Sequence, residues 1–239
     1  MSGRTGKRIR TSSEGRESNN FTLVGSHYKI RTEKTGHYFI HGRMSEQTRY
    51  IWICLHGYGQ LAKFFIQKFE FLDPQQHYVI VPEGLNRFYF EGVREKPVAS
   101  WMTREDRLDE IADYVLFLEA LRQKMRWDAN PNVNVFYFGF SQGVSTLIRW
   151  LTNIHPRCDR LILWAGSPPD DIPMEMHRAY FEKIPIDYFI GRQDQYITAE
   201  GTEAFKNLMK HGGMEAAIHW FDGDHRVEEI VLMEALRKW

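Results

Sequence analysis

The chain has 239 residues, 43% of them hydrophobic and 14% aromatic, which is enough for one large packed domain. Lys+Arg and Asp+Glu balance at 31 each, so no net field draws the protein to nucleic acid, an anionic membrane or an acidic partner. Its two cysteines, Cys54 and Cys158, lie in apolar strand-like runs and argue for buried free thiols in a reducing compartment rather than a disulfide framework.

Residues 1–20 are polar and rich in Ser, Gly and Arg, with too little apolar surface to offset the entropy of ordering them. They read as a disordered tail, and residues 21–239 as a single domain. There is no apolar signal region and no run approaching a membrane span, so the expectation is a cytoplasmic protein without stable membrane insertion. The sequence sets no oligomeric state.

His27–Thr32 and Gly36–Gly42 are strand-forming segments around a turn, and predict an antiparallel hairpin at one edge of a sheet. Tyr50–Leu55 is a continuous apolar run, as in a parallel strand covered on both faces, and ends in His56-Gly57-Tyr58-Gly59-Gln60. A helix is expected over Ala62–Phe71 and a strand over Tyr78–Val81. Residues 83–102 lack periodicity yet hold Phe88, Tyr89, Phe90 and Trp101, and such long irregular connections are often functional. Thr103 to Asp106 has the pattern of a capping box ahead of a long helix. The buried face of that helix is predicted at Leu108, Ile111, Ala112, Val115, Leu118 and Leu121.

The run Val133–Phe138 leads straight into Gly139-Phe140-Ser141-Gln142-Gly143, and a helical period follows through Val144, Leu147, Ile148 and Leu151. Strand, Gly-x-Ser-x-Gly and helix together read as a nucleophile elbow, a strained turn that lifts one serine hydroxyl clear of a sheet edge. Further strands are expected at Leu161–Trp164, Ile186–Ile190 and Ala217–Phe221. Helices are expected within Pro173–Glu182, over 199–210, and at the C-terminus with Val227, Ile230, Val231 and Leu236 inward. Strands alternating with helices imply a mainly parallel sheet with helices on both faces.

In such sheets, sites assemble from loops at the carboxyl ends of strands. Ser141 tops one strand, Asp194 follows another and His225 follows the last. Serine needs a base to accept its proton, and imidazole needs a carboxylate to hold its tautomer. Among the ten histidines, His219 lies inside a strand, His211 ends a helix, and His56 is better read as a brace for its own loop. Asp170 and Asp171, after the Trp164 strand, stay open as alternatives to Asp194. Oxyanion donors are expected from the Gln142 N–H at a helix N-terminus and from the Tyr58 N–H, with Gly57 or Gly59 as alternatives to Tyr58.

These motifs give a resemblance over about residues 48–238. Leu55-His56-Gly57-Tyr58-Gly59, Ser100-Trp101, Gly139-Phe140-Ser141-Gln142-Gly143, Gly191-Arg192-Gln193-Asp194 and Gly223-Asp224-His225 resemble the phospholipase/carboxylesterase branch of the α/β-hydrolases. That branch includes bacterial carboxylesterases and acyl-protein thioesterases. The resemblance implies an α/β-hydrolase fold, a triad of Ser141, Asp194 and His225, and an oxyanion hole at Tyr58 and Gln142. This chain departs from the family at Gln60, where an acidic residue is usual, and at Val144, where a second glycine is frequent.

The expected function is a serine hydrolase that cleaves carboxylic esters or thioesters of small acyl substrates through an acyl-Ser141 intermediate. Phe64, Phe65, Phe88, Tyr89, Phe90 and Trp101 are candidates to line the acyl pocket. No metal or cofactor is expected, because neither a His-Glu-x-x-His nor a dinucleotide fingerprint is present. Two other readings are a non-catalytic relative that binds a ligand or partner, and a triad directed at peptide or amide bonds.

Overall fold

The computed structural model describes residues 25–90, 96–197 and 199–239, so the 1–20 segment lies outside the described residues. The chain falls into two units, Met1–Glu33 and Lys34–Trp239. In the first, residues 26–33 form neither helix nor strand, so the first arm of the expected hairpin is not a strand. The second arm is one, but its antiparallel partner lies elsewhere.

The second unit has strands β1 (Tyr38–His41), β2 (Tyr50–Leu55), β3 (His77–Pro82), β4 (Asn86–Tyr89), β5 (Pro97–Ser100), β6 (Asn134–Phe140), β7 (Arg160–Trp164), β8 (Ile186–Gly191) and β9 (Ala216–Phe221). β4 and β5 form a small antiparallel ribbon, and the others form one seven-stranded sheet in the order β1-β3-β2-β6-β7-β8-β9. All pairings within that sheet are parallel except that of β1, whose Tyr38 to His41 run opposite Pro82 to Val79 of β3. The antiparallel strand expected at the N-terminal edge is thus present, with β3 rather than His27–Thr32 beside it. The helices are α1 (Ala62–Phe65, continued as one 3₁₀ turn to Phe69), α2 (Arg107–Met125), α3 (Gln142–Ile154), α4 (Arg178–Phe181), α5 (Ala199–His211) and α6 (Glu229–Leu236).

Because side chains alternate across a sheet, each strand feeds two separate cores. Ile51, Ile53 and Leu55 of β2 pack with Val135 and Tyr137 of β6 against α2, α3 and α5 on one face. Trp52 and Cys54 pack with Phe136, Phe138, Trp164 and Phe189 against α1 and α6 on the other. Trp164 and Phe189 stack at 4.6 Å between ring centroids. Each such fully buried side chain contributes about 1.5–3 kcal/mol. Cys54 and Cys158 are free thiols, and burial pushes both well up from the ordinary thiol range.

The long helix departs from its expected start. α2 begins at Arg107, after Asp106 in a left-handed conformation with φ 45°. The Thr103 hydroxyl and amide both turn to the Glu110 carboxylate instead of capping a helix at 104. Leu108 is exposed in consequence, and Tyr114 joins Leu118 and Leu121 inside. Ile230 of α6 likewise faces solvent while Leu232 and Ala235 are buried. Among the described residues no helix is long and apolar enough to cross a membrane.

Candidate active site

Ser141 sits between β6 and α3 at φ 52° and ψ −118°, a conformation that costs a residue with a Cβ about 1–3 kcal/mol. Its neighbours hold it there. The Ser141 N–H donates to the Trp164 carbonyl at 2.9 Å, which ties the turn to the end of β7. A Cβ on Gly143 would lie 2.3 Å from the Leu55 carbonyl oxygen, and one on Gly166 would lie 2.3 Å from that of Ser141. The elbow therefore closes only because glycine occupies both positions.

Asp194 and His225 come from the loops after β8 and β9, and these loops are locked together. Gln193 N–H donates to the Gly223 carbonyl at 3.0 Å, and Gly191 passes so close to that carbonyl that a Cβ would stand 2.3 Å from it. The indole N–H of Trp164 reaches the Arg226 carbonyl at 2.9 Å and pins the histidine loop to β7. The result is a linear chain of hydrogen bonds. Ser141 Oγ is 2.8 Å from His225 Nε2, and His225 Nδ1 is 2.8 Å from Asp194 Oδ2. A carboxylate only accepts, so Nδ1 carries the proton and Nε2 is free to accept from the serine hydroxyl. The other oxygen of Asp194 accepts the N–H groups of Tyr196 (2.8 Å) and Ile197 (3.1 Å), which fixes its rotamer. The Asp194 side chain is fully buried, while His225 keeps 17% of its side chain open.

The rival groups are engaged elsewhere. Asp171 pairs with Arg149 at 2.8 Å and Arg107 at 3.2 Å. Its partial burial would raise its pKa, but the Arg149 guanidinium outweighs this and holds it below the ordinary value. Asp170 is exposed. His219 is bound to Asp187, which also binds Arg160. His211 Nδ1 bonds the Asn207 carbonyl.

The loop after β2 is built around His56. Its Nε2 accepts the Gly84 N–H at 2.9 Å, which puts its proton on Nδ1, donating to the Gly57 carbonyl at 2.8 Å. Complete burial pushes its pKa down to about 4, against weaker upward pulls from that bond and from Glu83. Trp101 packs on the ring at 5.1 Å, and its indole N–H donates to the His56 carbonyl. Gly57 N–H is taken by Gln60 Oε1 and Gly59 N–H by the Ala99 carbonyl, both at 2.9 Å. Among the described residues the Tyr58 N–H has no acceptor, nor does the Gln142 N–H at the first position of α3. The Gln142 side chain bridges the Trp101 N–H (3.0 Å) and the Met102 carbonyl (2.7 Å), fastening the two halves of the site.

A family model described as serine hydrolase (FSH1) matches residues 44–228, a span that takes in all of these groups. The chain belongs to this serine hydrolase family. No curated protein matches it significantly. Among solved structures, the hydrolase is similar to acyl-protein thioesterase 2 of Zea mays, with 15% identity, a TM-score of 0.64 and coverage of 86% of this chain and 97% of that one. A phospholipase/carboxylesterase of Dyadobacter fermentans gives 13%, 0.61, 87% and 98%, and a carboxylesterase of Bacillus cereus 13%, 0.58, 85% and 92%. At such identities the likeness is one of fold.

In the hydrolase, the six aromatic residues expected around an acyl pocket separate into three pairs. Phe65 and Trp101 are buried, Phe65 stacked on Phe140 and Trp101 beneath His56, so both support the loops from below. Phe88 and Phe90 gather around the Tyr58 ring, with centroids 5.2 and 6.2 Å away. Phe64 and Tyr89 are each about half exposed, at 49%. Tyr196 was not anticipated from sequence. Its ring meets His225 edge-on at 4.7 Å, and the turn that Asp194 caps is the signal that places residue 196 there. Among the described residues, no cluster of three or more His, Cys, Asp or Glu is placed to hold a metal ion.

Proposed function

We propose that this hydrolase cleaves carboxylic esters or thioesters of small acyl substrates through an acyl-Ser141 intermediate. One observation carries the reading: Ser141, His225 and Asp194 form an unbroken hydrogen-bonded chain beside two amides that have no acceptor among the described residues. Ser141 Oγ attacks the carbonyl carbon as its proton passes to His225 Nε2. The carbonyl oxygen becomes an oxyanion between the Tyr58 and Gln142 N–H groups, the latter at the positive end of α3. Collapse breaks the bond to the leaving oxygen or sulfur, which takes the proton from Nε2. Water, deprotonated by the same imidazole, then releases the acid. Asp194 holds the imidazole tautomer and stabilises its charged form.

Three similar structures bear the names thioesterase or carboxylesterase, which supports esters and thioesters over amides as the substrate class. Phe88, Phe90 and Tyr58 form the apolar wall on the oxyanion side and suit an acyl chain. A cytoplasmic location belongs to the same reading and is supported by the two unbridged thiols.

The test is labelling by a fluorophosphonate together with hydrolysis of a matched ester, thioester and amide. Labelling that is lost in Ser141→Ala, with ester or thioester turnover far above amide turnover, is the expected result. Equal labelling of folded wild type and Ser141→Ala refutes the mechanism.

A further inference from the structure

We propose that Tyr196 is the contact surface for the leaving group, and selects esters or thioesters whose departing alcohol or thiol carries an aromatic or bulky apolar substituent. This rests on the reading of Ser141, His225 and Asp194 as an acyl-transfer site. The His225 imidazole touches two aromatic rings with different surroundings. Phe140, at 5.1 Å, is 4% exposed and packs into the core on Phe65. Tyr196, at 4.7 Å, is 68% exposed, and His225 is its only ring contact among the described residues. Core packing therefore explains Phe140 and leaves Tyr196 unexplained. Its backbone is nonetheless anchored beside His225, because its N–H is held by Asp194 Oδ1 at 2.8 Å.

The chemistry says what belongs in front of that ring. When the tetrahedral intermediate collapses, the proton on His225 Nε2 passes to the leaving oxygen or sulfur, so that atom stands within about 3 Å of Nε2. The substituent on the leaving atom begins one bond further out, within reach of a ring whose centroid lies 4.7 Å from that of the imidazole. The acyl group extends instead from the carbonyl carbon, whose oxygen is held by Tyr58 and Gln142. Once the alcohol or thiol has left, water occupies its place and Tyr196 has no substrate group to touch. The contact thus acts in acylation and is absent from deacylation.

Benzyl butanoate and ethyl butanoate share one acyl group and have alkoxide leaving groups of similar basicity, so they isolate the contact. The wild type is expected to prefer the benzyl ester in kcat/KM. Tyr196→Ala is expected to reduce that preference by about fivefold to tenfold, the worth of one aromatic contact, and Tyr196→Phe to keep it. Decay of the butanoyl-enzyme formed from p-nitrophenyl butanoate should agree within about twofold among the three proteins, since the leaving group has gone. Circular dichroism and thermal melting verify that the variants are folded. An unchanged benzyl-to-ethyl ratio in folded Tyr196→Ala overturns the proposal. So does an equal loss in acylation of both esters and in deacylation, which makes Tyr196 a positioning residue for His225. A wild type that is labelled at Ser141 by fluorophosphonate yet shows no benzyl preference overturns this inference alone. One that takes no label and cleaves neither ester overturns the underlying reading with it.

Discussion

His56 should make the hydrolase lose stability in mild acid, starting above the range where carboxylates titrate. In the fold its Nε2 must stay unprotonated to accept the Gly84 N–H, and burial holds its pKa near 4 against an ordinary 6.5. Above pH 6.5 neither folded nor unfolded chain protonates it, and its contribution is fully present. As the pH falls from 6.5 toward 4, the unfolded chain takes up a proton that the folded one refuses, so stability falls throughout that window. A difference of 6.5 against 4 gives a loss of about 3 kcal/mol between pH 7 and pH 4 from this side chain alone. His77 and His177 are also lowered by burial and act in the same direction. Comparing the wild type with His56→Gln cancels their effect. Urea unfolding of both proteins at half-unit intervals from pH 7 to 4 should show the wild type losing about 3 kcal/mol more than the variant. Parallel pH profiles would refute the reasoning and mean that the folded loop accommodates a charged His56.

Asp194→Asn should leave the fold intact and lower kcat by about four orders of magnitude, because the amide cannot hold the imidazole in its working tautomer. Asp171→Asn should keep activity within about threefold while costing about 1–3 kcal/mol in urea, since it weakens the partner of buried Arg149. The reverse pattern would hand the acid role to Asp171. Gly143→Ala places a methyl 2.3 Å from the Leu55 carbonyl, and should cost about 3 kcal/mol or more in thermal or urea unfolding. Gln142→Ala keeps the backbone donor but strands the Trp101 N–H and Met102 carbonyl. It should cost about 1–3 kcal/mol and slow ester turnover while fluorophosphonate still labels Ser141.

The centre of the sheet could be read from sequence because its strands are buried on both faces. Tyr50–Leu55 is a continuous apolar run and Ile186–Ile190 is apolar but for Asp187, and both lie at the strand positions observed. Patterning failed where exposure replaces burial. β4 alternates exposed Arg87 and Tyr89 with half-buried Asn86 and Phe88, and four residues of mixed character give no period to detect. His27–Thr32 has strand-forming residues yet no strand, because propensity for a pleated, half-buried surface means little where all six residues are exposed. Leu108 and Ile230 lie near the starts of their helices, where the helical period cannot tell an inward residue from one in a first turn that overhangs the core. At the site, Ser141, Asp194 and His225 are legible because each stands on a loop after a strand. Tyr196 is not, since its place depends on how the Asp194 turn folds back on a histidine 31 positions away in sequence.

The two departures from the related family show how the elbow is maintained. Gln60 stands where a carboxylate is usual, and its side-chain oxygen accepts the Gly57 N–H, a bond that an amide oxygen serves as well as a carboxylate. Val144 stands where glycine is frequent, in the closely packed first turn of α3. The space for its branched side chain comes from Gly166, where a Cβ would lie 2.6 Å from the valine methyl and 2.3 Å from the Ser141 carbonyl. Residue 144 can therefore grow only because residue 166, on the neighbouring strand's loop, has no side chain. The same absence lets the loop after β7 close over the serine turn, where the Trp164 carbonyl receives the Ser141 N–H. The strain at Ser141 is thus sustained by the ends of two adjacent strands, and the short motif around the serine would not hold that conformation without them.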